Sequence, residues 1–160
     1  MIIALDIKFV DSGEPVSIAM YTPNDSLYCE IAYSENIPDK IYKYLWKIKT
    51  FKEILHKNIN YYYDEHDAVN QRVQKFINKY PSAEYLILKD LRVWTYFNTI
   101  LKNDNYNPII FEYLYKYNFN VPLNNNLLDI QHLSRTVGKH KENALDTAEM
   151  LYLAYNNLFN

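Results

Sequence analysis

Glycine, cysteine and arginine are all scarce in this chain. Of its 160 residues, two are glycine, one is cysteine and three are arginine. The lone Cys29 excludes an internal disulfide and points to a reducing, cytoplasmic setting. Long apolar runs are missing as well. No stretch approaches the roughly 18 residues that a membrane-spanning helix needs, so no membrane partner is expected. The opening "MIIALDIKF" carries an acid and a base and does not read as a signal peptide. No internal repeat or linker breaks the sequence, and 160 residues suit a single domain with one core, here residues 1–160.

What is present in excess is tyrosine, asparagine, isoleucine and lysine, a usage typical of an AT-rich bacterial or phage genome. Apolar residues make up 49% and charged residues 22%, the balance of an ordinary globular protein. The net charge of −2 conceals an asymmetry. Between Lys40 and Tyr63 six lysines meet one acid, Glu53, so this segment carries +5 and the remainder −7. Here Lys40, Lys43, Lys47, Lys49, Lys52 and Lys57 alternate with Tyr, Trp and Phe. Lysines neutralise phosphates and exposed aromatics stack on bases, which would suit RNA or a protein–RNA complex. An amphipathic helix with buried aromatics and a wet lysine face gives the same pattern.

The chain opens with strand patterns over 1–9, 16–22 and 27–33, the last two joined by "PNDS" as an antiparallel hairpin. "DSGEP" punctuates the first turn. From 39 to 57 the period becomes helical, with Ile41, Tyr44, Leu45, Ile48 and Leu55 in one stripe. "HDAVNQRVQKFINKY" (66–80) predicts a helix stopped by Pro81, "EYLILK" (84–89) a buried strand, and "DLRVWTYFNTILK" (90–102) a helix with Asp90 near its N-cap. A strand fits inside "FEYLYKYNF" (111–119), as an edge strand or an aromatic docking edge. A helix or short strand fits 127–137. A final helix fits 142–158, with Leu145, Ala148, Met150, Leu151, Leu153 and Ala154 inward. The order predicts an α/β fold: an antiparallel three-stranded meander extended by parallel strands into a mixed sheet flanked by helices.

Asp6 and Lys8 share one face of the first strand, being two residues apart. An acid there suits the start of a metal site, and a lysine two residues on does not. The plain reading pairs Asp6 with Lys8 and lets Asp90 cap a helix. His56, His66 and His132 share no ligand-like spacing. His66 and Asp67 begin a helix, where a cap is the plain explanation.

Three stretches resemble the DnaQ-like, or DEDD, 3′–5′ exonucleases of ribonuclease H-like fold. They are "ALDIKFVDSGEPVSIAMYTPNDSLYCEIAY", "AEYLILKDLRVWTYF" and "ENALDTAEMLY". The resemblance implies two divalent ions about 4 Å apart held by four acids, with a His or Tyr of the last motif handling the attacking water. Carried over, the first acid is Asp6 and the third is Asp90, while the second falls on Lys8. In the last motif, the histidine branch puts the base on Glu142 and the acid on Thr147. The tyrosine branch puts Glu142 at the tyrosine and the acid on Asp146. His140, beside Lys139 and Lys141, is either a solvated loop residue or a substitute base.

The implied site is thus a remnant made of Asp6, Lys8, Asp90, Glu142 and Asp146. An ammonium at Lys8 would repel a divalent cation in a partly dry site. The expectation is a degenerate exonuclease fold that needs no cofactor and acts as an RNA- or ribonucleoprotein-binding module. An inhibitor of a host RNA-guided nuclease (an anti-CRISPR protein) carried by a mobile element is one concrete form. The alternative is an active 3′–5′ exoribonuclease using Mg or Mn at Asp6, Asp90 and Asp146. A regulatory subunit without nucleic acid is a third reading.

Overall fold

A computed structural model describes residues 1–9, 13–32, 60–101, 106–110 and 144–159. The helix expected over 39–57, the strand within 111–119 and the element over 127–137 lie outside the described residues. So do Lys40, Lys43, Lys47, Lys49, Lys52, Lys57, Glu142, His56, His132 and His140.

The chain begins with β1 (Ile2–Phe9), β2 (Pro15–Thr22) and β3 (Asp25–Ile31), an antiparallel meander. Gly13 takes φ of +101° between β1 and β2, a conformation that a Cβ would strain. The β2–β3 turn closes on itself. The Thr22 hydroxyl donates to the Asp25 carbonyl and accepts from the Asp25 N–H, both at 3.0 Å. The Tyr80 hydroxyl and Lys79 Nζ then hold the Asp25 carboxylate at 2.5 and 3.3 Å, which ties the hairpin tip to the far end of a helix.

β4 (Asn60–Asp64) runs parallel to β3. No strand is expected there from the sequence pattern. Three consecutive tyrosines favour strand but lack the polar–apolar alternation that marks one face as buried. α1 (His66–Asn78) follows, then β5 (Tyr85–Leu88), α2 (Leu91–Ile100), β6 (Asn107–Ile110) and α3 (Ala144–Phe159). β6 was also unexpected, since Asn107 and Pro108 open it and only two apolar residues follow. Among the described residues the sheet order is β4-β3-β2-β1-β5-β6, with β5 and β6 parallel to β1.

Strand alternation gives this sheet two unlike faces. Ile3, Leu5 and Ile7 of β1 join Ile18, Met20, Leu27, Cys29, Ile31, Leu86 and Leu88 in the larger core. α1 covers it with Val69, Val73, Phe76 and Ile77, and α2 with Val93, Phe97 and Ile100. The opposite face is lined by small side chains, Ala4 and Ala19, with Tyr28 and Ile87. α3 lies on it through Ala144, Leu145, Ala148 and Leu151. Alanine on both partners lets helix and sheet approach closely. Leu153, expected to face inward, is 51% exposed, because it falls outside the stripe 144–148–151–155 that meets the sheet.

Two measurements probe this core. Phe97 is wholly buried, and Phe97→Ala should lower the unfolding free energy by about 3–5 kcal/mol in urea titration. A loss below about 1 kcal/mol would mean that α2 is not seated as described. Burial also pushes the Cys29 thiol up to about 12. The native chain should therefore resist alkylation near neutral pH and react once denaturant is added.

Candidate functional site

The smaller core carries the chemistry. β1 places Asp6 and Lys8 on the α3 face, one strand pleat beyond Ala4. Both are buried, at 1% and 9% exposure, and Thr147 of α3 is at 0%. Lys8 Nζ lies 3.0 Å from Asp6 Oδ2 and donates a 2.7 Å hydrogen bond to Thr147 Oγ1. The first contact is led by charge: Asp6 Oδ2 has no well-aligned hydrogen-bond donor. The close seating of α3 on Ala4 and Ala19 brings the Thr147 hydroxyl within reach. A bulkier pair of faces would hold it off.

The polar row continues across the sheet. Lys8 sits opposite Ser17 on β2, and Ser17 opposite Glu30 on β3. Ser17 and Glu30 are fully buried, and the Tyr28 hydroxyl donates to Glu30 Oε1 at 2.9 Å. Ser17, Tyr28 and Glu30 were missed by sequence reasoning. Their parity with Asp6 and Lys8 was legible, but a polar strand face ordinarily meets water. Nothing in the pattern says that a helix covers this one.

Asp90 stands at the β5–α2 junction. Its carboxylate accepts the Val93 N–H at 3.0 Å, so it caps α2. It is also near enough to Asp6 to act on it. Burial raises the Asp6 carboxyl above its ordinary range; the Lys8 ammonium, and more weakly Lys89, pull it down, and Asp90 pushes it up. In α3 it is Thr147 that meets Lys8, while its neighbour Asp146 is half-buried in the first turn. The structure therefore brings Asp6, Lys8 and Thr147 into contact, with Asp90 beside them.

No protein-family model matches this sequence, and no curated protein is similar enough to count as a match.

Among the described residues, the donors at this site do not fit a divalent cation. Lys8 Nζ occupies the space between Asp6 and the first turn of α3, and Asp90 is committed to its cap. Among the described residues no three His, Cys, Asp or Glu side chains converge as a metal site would need.

On the other face of β1 lies a second, aromatic cluster. Phe9 meets Tyr96 edge-on, with centroids 5.9 Å apart at 78°. The Tyr96 hydroxyl is hydrogen-bonded to His66 Nε2, and burial pushes its pKa up to about 12. His66 thus does not cap α1. Glu65 takes the N-cap position, without a side-chain cap bond.

Two predictions follow from the pair. Lys8→Met should cost roughly 1–3 kcal/mol of stability, the scale for a buried polar group left unpaired. The double change Asp6→Leu with Lys8→Met should recover most of it, because apolar replacement of both partners is often neutral. Equal losses in the single and double variants would show that the pair is not coupled. The second concerns pH. A raised carboxyl pKa means that the folded chain keeps a proton the unfolded chain has released. The stability attached to Asp6 is then full below about pH 4 and is lost as pH rises through the folded pKa. Relative to Asp6→Asn, the parent should therefore lose stability on going from about pH 4 to pH 8. A pH-independent difference in urea unfolding would show that the carboxyl is not raised.

Proposed function

We propose that this chain is an exonuclease-like fold without hydrolytic activity that works by binding RNA or a ribonucleoprotein. One observation carries the reading: the Lys8 ammonium lies between Asp6 and Thr147, where the resemblance to DnaQ-like exonucleases implies carboxylates around a metal. A fixed cation there neutralises Asp6 internally and leaves no donor set for two ions. The strand arrangement supports the reading. An antiparallel meander continued by strands parallel to β1 is what a ribonuclease H-like fold requires, and β4 is an addition at the meander's outer edge. The basic, aromatic segment from Lys40 to Lys57 supports an anionic partner. Inhibition of a host RNA-guided nuclease is one role such a module would fill.

The test is incubation with end-labelled single-stranded RNA and DNA in Mg²⁺ and in Mn²⁺. No shortening is expected. Digestion that vanishes in Asp6→Ala would overturn the proposal and favour an active exoribonuclease. A thermal-unfolding measurement tests the site directly. Lys8→Glu should unfold at lower temperature than the parent in chelator, and Mn²⁺ should restore part of the loss by binding only the folded state. The parent should not respond to Mn²⁺.

A further inference from the structure

The described residues include two arginines, and each lies over an aromatic ring. The Arg72 guanidinium carbon is 3.6 Å from the Tyr62 ring centroid, and that of Arg92 is 4.0 Å from Phe9. They differ in what else they do. Arg72 Nε also donates to Asp64 at 2.7 Å, so its charge is spent within the fold. Arg92 is exposed, and no carboxylate among the described residues lies within ion-pair distance of it.

The ring beneath Arg92 rests on Tyr96, which is itself held. Tyr96 meets Phe9 edge-on, and His66 of α1 holds the Tyr96 hydroxyl. β1, α1 and α2 therefore combine to position one guanidinium without an ion pair among the described residues. Gly13 passes alongside, where an added Cβ would stand 3.9 Å from the nearer guanidinium nitrogen. A guanidinium stacked on a ring uses its face and keeps its in-plane N–H donors for an anion. Asp90, two residues before Arg92, is engaged by the α2 cap, and Glu14, next to Gly13, has an interaction of its own.

We propose that Arg92, held on Phe9, is a preorganised contact for the phosphodiester backbone of single-stranded RNA. This rests on the RNA-binding reading above and adds a contact outside the basic segment. Phosphate suits a fixed planar fork, because two N–H groups can reach two of its oxygens. A guanidinium already immobilised loses little freedom on binding. A base can stack on the guanidinium face turned away from the ring.

The experiment is fluorescence anisotropy of short labelled single-stranded RNA with the full chain over a range of salt. Arg92→Ala should weaken binding about tenfold and reduce the slope of log affinity against log salt by about 1. Arg92→Lys should restore only part, since an ammonium keeps charge but not the fork. Lys75→Ala, on the exposed side of α1, should bind as the parent does. If Arg92→Gln and Arg92→Ala both bind RNA with the parent's affinity and salt slope, this contact is wrong while the RNA-binding reading stands. If the parent itself does not bind RNA at low salt, both are wrong. Loss of binding to polyglutamate in Arg92→Ala, with RNA binding unchanged, would instead assign Arg92 to an acidic protein partner and overturn the proposal.

Discussion

An ammonium group taken out of water must be answered by charge and by hydrogen bonds together, and Lys8 imposes that requirement on two elements of this fold. Asp6 answers it with charge from the same strand. Thr147 answers it with a hydroxyl from a helix far along the chain. Because isolated burial of either ion is costly, the α3 helix is held at one depth and one rotation on the sheet. A shift of one residue along α3 would put Asp146 or Ala148 where Thr147 stands. The buried pair thus ties helix to sheet through the Thr147 hydroxyl.

The two faces of the sheet divide the work. The face under α1 and α2 is filled with branched and aromatic side chains, which supply most of the apolar burial and so most of the cohesion. The α3 face gives up apolar volume for alanines and a buried polar row through Lys8, Ser17 and Glu30. Such a row is destabilising unless its members are satisfied: Lys8 and Glu30 find partners in Thr147 and Tyr28, whereas the buried Ser17 hydroxyl has no hydrogen-bond partner among the described residues. The two faces come together at the end of β1. Asp6 and Lys8 lie on one side of it, and Phe9, with Arg92 of α2 over its ring, lies on the other.

Much of the fold was legible. The meander, α1, β5, α2 and α3 each carry a strong period or a cap, and Asp90 caps α2 as its position implied. β4 and β6 were not legible, because short strands are fixed by the backbone partners beside them rather than by their own alternation. His66 shows the same limit at one residue. Its place at a helix start suggested a cap, and its actual partner, Tyr96, is thirty positions away.

The sequence by itself determined that Asp6 and Lys8 share a strand face, since side chains two apart on a strand must. It also determined that a lysine stands where the exonuclease resemblance implies a carboxylate. Only the tertiary structure decided that this face is covered, and that Thr147 rather than Asp146 meets the lysine. The physical reason is that burial and hydrogen-bond partners are properties of the packed helix–sheet pair. Alanines at 4, 19, 144 and 148 permit the close approach, and that approach, which no local pattern encodes, makes Lys8 an interior charge.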